Sequence, residues 1–537
     1  MLLQRLQALP DHTAERSPYY ILAVVCSAMF LDLANLSAIT IALPTIQTDF
    51  GINVGDLQWI ISAYALTFGG FLLLGGRGGD IFGHRRVLLF GMVFFALFSL
   101  VCAVAPTFIG LVIARAFQGI GAAFTIPSAQ AHIALHFSDP TKKAKALGIW
   151  GAAGSLGFII GLILGGVLTA FLGWRWIFWI SLIISGIVIP AAYVVLPRAP
   201  SPRAVTPHPV DGGSTDDSSP APKKGLLQSV RERLVRFDAL GISLGIPGIL
   251  LLTYALTSAN TEGWDDAKII ATLVVSVVLL VVFILHERSA PQAILAPHLF
   301  RNLSFNLTLI LAVNTYAVRQ ACTYFLTVQL QSYGASAIHT SVLFIPLGVS
   351  ALIFNTLSGR LVPILGARAM FIIGWALSIP GILLFSFITE HTSYWRYTFP
   401  GMILYIAGIG AVYITANFVV VSSASKSDQG AAAGVFNVAL QVGGSVLGLA
   451  VLTAVAEGIE KTHGDAGLPQ GELSDIGYRS VYYSCVILSG IGLFLSVFAI
   501  KVPDSMRGSV WKGKIDVSAV TETSSSHELQ PTQSRQS

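Results

Sequence analysis

The sequence predicts an all-α protein that crosses a membrane about fourteen times, and three observations predict it. The chain of 537 residues is 54% hydrophobic and only 11% charged, with a mean hydropathy of +0.73. An ordinary soluble domain carries about 25% charged residues, so a surface this poor in charge needs lipid as its solvent. Apolar runs of span length recur along the whole chain, and lysine and arginine collect in alternate loops between them.

A helix that crosses the hydrocarbon core needs roughly 20 largely apolar residues at a rise of about 1.5 Å each. Such runs open near residues 20, 57, 87, 108, 146, 175, 239, 268, 305, 341, 369, 397, 430 and 480. The runs at 239 and 268 separate a fourteen-span reading from a twelve-span one. Ala239–Ala259 and Ile269–Leu285 are each long and almost uncharged, which a soluble loop has no reason to be.

Basic residues mark the cytoplasmic loops of membrane proteins. Arg77, Arg85 and Arg86 follow span 2; Lys142, Lys143 and Lys145 follow span 4; and Arg198, Arg203, Lys223, Lys224, Arg231, Arg233 and Arg236 follow span 6. The pattern continues with Arg288 and Arg301, then Arg360 and Arg368, then Lys426. The intervening loops carry Asp49 and Asp56, then Glu262, Asp265 and Asp266. Every even-numbered loop is the basic one, so both termini are expected in the cytoplasm, which an even span count requires. The expected location is a cell membrane, with a vacuolar membrane as the other possibility.

Composition excludes several classes. The net charge of +5 is small and scattered in short clusters, not laid along one continuous basic face, so no nucleic acid partner is expected. Cys26, Cys102, Cys322 and Cys485 lie in apolar runs without paired spacing and read as small buried hydrophobes. Residues 1–18 carry Asp11 and Glu15 and no clean cleavage site, unlike a signal peptide. His286-Glu287 lacks a second histidine at metal spacing, and neither a G-x-S-x-G elbow nor a G-x-x-x-x-G-K-[ST] phosphate loop occurs. The sequence therefore predicts no enzyme, cofactor or metal, and a transport cycle driven by an ion gradient.

The expected organisation is a cytoplasmic segment at 1–19, a six-helix bundle at 20–196, a largely disordered linker at 197–238, two additional helices at 239–286, a second six-helix bundle at 305–501 and a disordered tail at 513–537. The linker is rich in proline, serine, glycine and aspartate, which cannot bury apolar area. The segment after it, LLQSVRERLVRF, fits either an interfacial amphipathic helix or an extension of span 7. The two bundles carry an internal repeat: Gly76 and Gly83 stand seven apart after span 2, Gly359 and Gly366 seven apart after span 10, each pair with arginines alongside. Duplicated transporters place their substrate between the halves, near the midplane.

Three ionisable residues fall well inside spans: Asp32, Arg115 and Arg319. Each costs about 2.5–3.5 kcal/mol at a helix centre on insertion scales, so each should face the bundle interior. Each has polar companions: Asn35 one turn from Asp32, Gln118 at i+3 from Arg115, and Asn314, Tyr316 and Gln320 around Arg319. Asn417, Asn437 and Gln441 add uncharged polar groups in spans 12 and 13, whereas spans 7 and 8 contain no ionisable residue and should lie outside the transport path. No Asp or Glu lies inside spans 9–14 to pair with Arg319, the nearest being Glu390 and Glu457 at span ends; pairing with Asp32 across the halves is the alternative to contact with a substrate.

The loop Gly76-Arg-Gly-Gly-Asp80-Ile-Phe-Gly83-His-Arg85-Arg86 resembles the G-x-L-x-D-R-x-G-R-K loop of the major facilitator superfamily, and within it that of the fourteen-span drug:proton antiporters of fungi and bacteria. The resemblance covers most of residues 20–500. It includes Leu57-Gln58-Trp59 followed by Tyr64, Arg115-x-x-Gln118-Gly119-x-Gly121, and Trp174-Arg175-Trp176-Ile-Phe178. It implies that Asp80, Arg85 and Arg86 make ion pairs and helix-end contacts holding the outward-facing state, and that Arg115 is linked to proton transfer. Gly78 and Ile81 depart from the loop pattern. Gly157, Gly161, Gly165 and Gly166 resemble the antiporter glycine signature, but Leu162 stands where that signature has proline. The first three, spaced by four, are explained equally well as a packing stripe. Gln58, Trp59 and Tyr64 fit either a substrate cavity or an interfacial aromatic belt.

The resemblance implies a monomeric carrier in the lipid bilayer that exports a small organic molecule, a drug, toxin or secondary metabolite, against protons. Leu162 favours an alternative, proton-coupled uptake or facilitated flux of a small nutrient such as ammonium, a polyamine or an organic acid. A transporter-like receptor without flux is the third class.

Overall fold

The computed structural model describes residues 18–52, 54–197, 238–290, 295, 297–463 and 473–499, and among them every long element is a helix. The first half contributes α1 (Pro18–Phe50), α2 (Val54–Phe82), α3 (His84–Val104), α4 (Phe108–His136), α5 (Pro140–Phe171) and α6 (Trp176–Val195). Two further helices follow, α7 (Ala239–Glu262) and α8 (Ala267–Ser289). The second half contains α9 (Leu303–Ser332), α10 (Ala337–Leu343 continuing as Ile345–Leu365), α11 (Ala367–Phe385), α12 (Thr398–Ser423), α13 (Gln429–Val438, Ala439–Gly448 and Leu449–His463) and α14 (Asp475–Phe498).

Thirteen of these are long and apolar enough to cross a membrane. The fourteenth, α9, is 30 residues long, and its asparagines, glutamines, threonines and Arg319 lower its hydropathy. The expected linker at 197–238, the amphipathic stretch within it, the N-terminal segment and the tail lie almost wholly outside the described residues.

Helix boundaries follow local chemistry. Asp139, Asp238, Asp266 and Asn302 cap α5, α7, α8 and α9, each accepting a hydrogen bond from a backbone N–H of the first turn. Gly83, between α2 and α3, has φ +95°, and Gly366, between α10 and α11, has φ +86°. Both occupy the left-handed region that side chains resist. The predicted repeat is thus the same joint built twice.

The other glycine of each pair brings the halves together. A Cβ on Gly76 would strike the backbone of Gly430 on α13, and one on Gly359 would strike Gly148 on α5. In each half, then, the second helix lies backbone to backbone on the fifth helix of the other half. The glycine stripe of α5 packs against α1: added methyls at Gly157, Gly161 and Gly165 would meet the backbone of Phe30, Ala34 and Ala38. Gly166 has only Ile41 at 3.9 Å and is not part of that seam. The counterpart in the second half is α13 on α9, where Gly444 and Gly448 lie against Tyr316 and Ala317. There α13 is a π-helix from Ala439 to Gly448.

The additional pair sits to one side. Trp59 of α2 stacks on Tyr254 of α7 at 5.9 Å, and Leu250 fills the space beside Gly70. On α8, Val274, Val278, Val281 and Leu285 are about half exposed, as suits a helix against lipid. All four cysteines are unpaired, with Cys26 partly exposed and the others buried.

Candidate functional site

In the first half the polar side chains converge. Arg115 on α4 is fully buried, and its guanidinium is held from three sides. Nε donates to the Ile60 carbonyl at 3.0 Å, and Nη1 donates to Asn35 Oδ1 at 2.8 Å and Gln118 Oε1 at 2.6 Å. Asn35 in turn donates to Ser181 on α6 at 3.0 Å, and Gln118 to Ser99 on α3 at 2.7 Å. Arg115 also lies over the Tyr64 ring, 4.4 Å from its centroid, and the Tyr64 hydroxyl donates to Asp32.

Asp32 and Arg115 are therefore joined through Tyr64 and make no direct ion pair. Tyr64, expected in a substrate cavity or an aromatic belt, is the bridge between them and is buried. Asp32 lines a small cavity shared with Leu31, Phe95, Thr125 and Ser185.

The loop at the basic end makes a helix-end contact. Both carboxylate oxygens of Asp80 accept backbone hydrogen bonds at the start of α13, from Gly430 at 2.9 Å and Ala431 at 2.7 Å. This arrangement suits a carboxylate, because the first N–H groups of a helix lack partners and carry partial positive charge. Among the described residues the side chain nearest the Asp80 carboxylate is the His84 imidazole, at 3.4 Å, not an arginine. Arg85 instead donates to the Tyr193 carbonyl of α6 at 2.6 Å and lies over the Tyr193 ring. Among the described residues Asp80 makes the implied helix-end contact and pairs with no arginine of this loop.

Two more contacts join the halves on the same side. Asn437 on α13 donates to Gln130 on α4, and Asn355 on α10 donates to Ser155 on α5 at 3.2 Å. With Asp80, these place the hydrogen bonds between the halves toward the basic end. At the opposite end Asp49 accepts from Arg175 at 2.8 Å and from Trp174 Nε1 at 3.0 Å, which ties α1 to α6 within the first half.

Among the described residues of the second half, the buried polar network lies away from its arginine: Gln329 of α9 donates to Tyr333 and to the Ile388 carbonyl and accepts from Tyr482 of α14. Arg319 is half-buried on α9, its guanidinium 4.7 Å from the Tyr316 ring centroid, with Nε lacking a hydrogen-bond partner. Among the described residues no carboxylate lies within 4.0 Å of it, so the alternative pairing with Asp32 is not made. Asn417 on α12 is fully buried, its amide close to the Tyr413 hydroxyl but without a hydrogen bond of good geometry. Asn314 is used structurally, donating to the Leu488 carbonyl of α14 at 2.7 Å. Gln320 and Gln441 are half-buried, the latter beside Gly69 of α2. Trp59 faces α7, and the side chain of Gln58 lies outside the described residues.

Sequence reasoning missed the partners Ser99, Ser181, Gln130, Ser155 and Asn355. It also missed a row of histidines, His84, His132 and His136, whose rings lie 6.1 and 5.5 Å apart beside Asp80. The i, i+4 spacing of His132 and His136 was the available signal.

Two pseudo-equivalent helical halves that meet across the bilayer around buried polar side chains define a polytopic membrane transporter. The sequence profile of the Major Facilitator Superfamily matches residues 25–448, and the chain belongs to that family. It is 31% identical to the cephamycin export protein CmcT of Amycolatopsis lactamdurans, over 93% of this chain and 95% of that one. It is 29% identical to a low affinity ammonium transporter of Saccharomyces cerevisiae, over 88% of this chain and 86% of that one. The proton:xylose symporter XylE shares the fold, with a TM-score of 0.60 and 16% identity over 90% of this chain and 96% of that one.

Proposed function

We propose that this chain exports small organic molecules in exchange for protons, acting as a monomer in a cell membrane with both termini in the cytoplasm. The observation that carries the reading is the Asp32–Tyr64–Arg115 chain. A carboxylate sits inside the first bundle, at the edge of a cavity and with a single hydrogen-bond donor, while a permanently charged guanidinium lies beyond that donor's ring. Deprotonated, Asp32 accepts the Tyr64 hydroxyl. Protonated, it no longer needs that donor, and Tyr64 is free to turn with respect to α1.

The helix bearing Asp32 is the one seamed to α5 by Gly157, Gly161 and Gly165, and α5 meets α10 of the other half at Gly148 and Gly359. A change in α1 thus bears on the surface along which the halves move. The export of cephamycin by a relative supports the outward direction. With the basic end in the cytoplasm, the contacts at Asp80, Gln130 and Asn355 close the cytoplasmic side, an outward-facing arrangement.

The test is transport by the reconstituted protein with and without an imposed pH gradient. Asp32→Asn should keep substrate counterflow and lose gradient-driven accumulation. Accumulation equal to wild type would exclude Asp32 as the proton carrier. Proton-coupled uptake is the second reading, favoured by Leu162 at the signature's proline position and by the ammonium transporter among the relatives. The same assay separates the two by the gradient polarity that drives accumulation, and a receptor without flux would show neither.

A further inference from the structure

Three helices of the second half present aromatic rings and unsatisfied polar atoms to one another. Arg319 lies sixteen residues after Leu303 on α9, about 24 Å along a helix of about 45 Å, and so near its middle. Arginine keeps its charge wherever it is placed, and a cation at that depth needs a counter-charge or water. The described carboxylates of these six helices are far from it in sequence, and two are already engaged: Glu460 accepts from Ser474, and Asp475 accepts from Tyr333. The Tyr316 ring takes one face of the guanidinium but leaves its N–H groups without an acceptor.

From Tyr316 the rings continue to α12 and α13. Tyr413 lies 5.7 Å from Tyr316, tilted by 47°, and stacks at 6.3 Å on Phe436. One turn beyond Tyr413 is Asn417, fully buried, its amide close to the Tyr413 hydroxyl but without a hydrogen bond of good geometry. The cluster is held in place from behind: Tyr405 donates to the Arg319 carbonyl at 2.9 Å, and Gly444, in the π-helical stretch of α13, lies against Tyr316. π-Helical turns are rare and concentrate at functional sites. Buried polar groups normally find partners, so a guanidinium nitrogen with no partner and an amide only loosely engaged beside the same rings leave hydrogen bonds open to a group from outside.

We propose that Arg319, Tyr316, Tyr413 and Asn417 form a substrate site selective for planar organic acids, with the carboxylate on the guanidinium and the ring system among the tyrosines. The proposal rests on the reading of the chain as a carrier and names the class of molecule carried. A guanidinium fork matches a carboxylate in two parallel hydrogen bonds, and the Asn417 amide offers a further donor. The same site repels amines, so an ammonium ion or a polyamine is excluded from it.

The experiment uses the full chain in proteoliposomes with three probes of one shape: 2-naphthoate, 2-naphthylmethylamine and 2-naphthylmethanol. Binding is read by thermal shift and transport by counterflow. Wild type should bind naphthoate most tightly. Arg319→Gln should weaken naphthoate roughly 10–100-fold and leave the alcohol unchanged, with Arg319→Lys between the two. Asn417→Leu should weaken naphthoate without lowering the melting temperature of the free protein. A preference for the amine, no binding of naphthoate, or an equal loss of all three probes in Arg319→Gln would overturn the site. Naphthoate counterflow that Arg319→Gln leaves unchanged would overturn it too, while leaving the carrier reading intact. Naphthoate binding that depends on Arg319 but never gives counterflow would uphold the site and defeat the carrier reading.

Discussion

The two halves treat a buried arginine in opposite ways. Arg115 is enclosed by the Ile60 carbonyl, Asn35, Gln118 and the Tyr64 ring, and each amide that serves it is held by a serine in turn. Arg319 has one ring face and no described acceptor for its Nε. The first arrangement satisfies Nε and Nη1 of its arginine from within the protein, with Nη2 alone left without a partner, and fits a group that must keep its geometry. The second leaves its hydrogen bonds open to something that binds. On this view the first half carries the coupling and the second half carries selectivity.

The largest expected effect sets the arginines against each other. Arg115→Leu leaves the side-chain oxygens of Asn35 and Gln118 without a donor and Asp32 without its cation, and should cost about 3–5 kcal/mol. Arg319→Leu removes a cation that has no counter-charge and should change stability by less than about 1 kcal/mol. Thermal unfolding of the two purified variants in detergent gives the comparison. A loss from Arg319→Leu as large as that from Arg115→Leu would mean that the second half holds its charge structurally.

The asparagines give a smaller version of the same contrast. Asn35→Leu removes one of the two acceptors of Arg115 Nη1 and the donor to Ser181, and should cost about 1–2 kcal/mol. Asn417→Leu replaces an amide without a hydrogen bond of good geometry with an apolar group of similar shape, a change that is near neutral or stabilising. The reverse order of melting temperatures would break the comparison.

Much of this architecture was legible in the sequence because it rests on residue types that few positions tolerate. Gly83 and Gly366 announced the repeated joint through a shared spacing, and each is required there by its left-handed backbone. Asp32, Arg115 and Arg319 stood out because charge is rare inside spans, and the isolation of Arg319 followed from the absence of carboxylates nearby. Which face each helix turns inward was not legible. In a soluble helix polarity marks the outer face, but a helix apolar all round gives no such mark. Thus α8, largely exposed, and α12, largely buried, read alike. For that reason the turn of Trp59 toward α7, and the pairings of Asn437 with Gln130 and Asn355 with Ser155, waited for the coordinates. The role of Tyr64 was hidden for a further reason. It depends on three helices meeting at one ring, which no spacing within a single helix encodes.

The smallest expected effect concerns the seam between the halves, where the comparison is closest. Four residues after Gly76 stands Asp80, and four residues after Gly359 stands Pro363. The glycines make equivalent backbone contacts, so the two joints differ in one carboxylate. That carboxylate accepts from two N–H groups at the start of α13, while the start of α5 is capped within its own half by Asp139. An asparagine at position 80 keeps one acceptor oxygen, turns an NH2 group toward the second N–H, and loses the charge that favours a helix N-terminus. The loss should be about 1–2 kcal/mol. It applies only while the basic end is closed, so it shifts the equilibrium between the two arrangements and leaves folding unchanged. A shift of that size is a factor of roughly 5–30 in population. The measurement is maleimide labelling from the basic side of a cysteine placed at Ser155, in a chain whose four native cysteines are replaced. Asp80→Asn should raise the labelling rate by that factor, whereas Pro363→Ala should leave it near wild type. Equal rates in Asp80→Asn and wild type would show that the glycine contacts alone close this end, and that the asymmetry between the two joints has no part in the cycle.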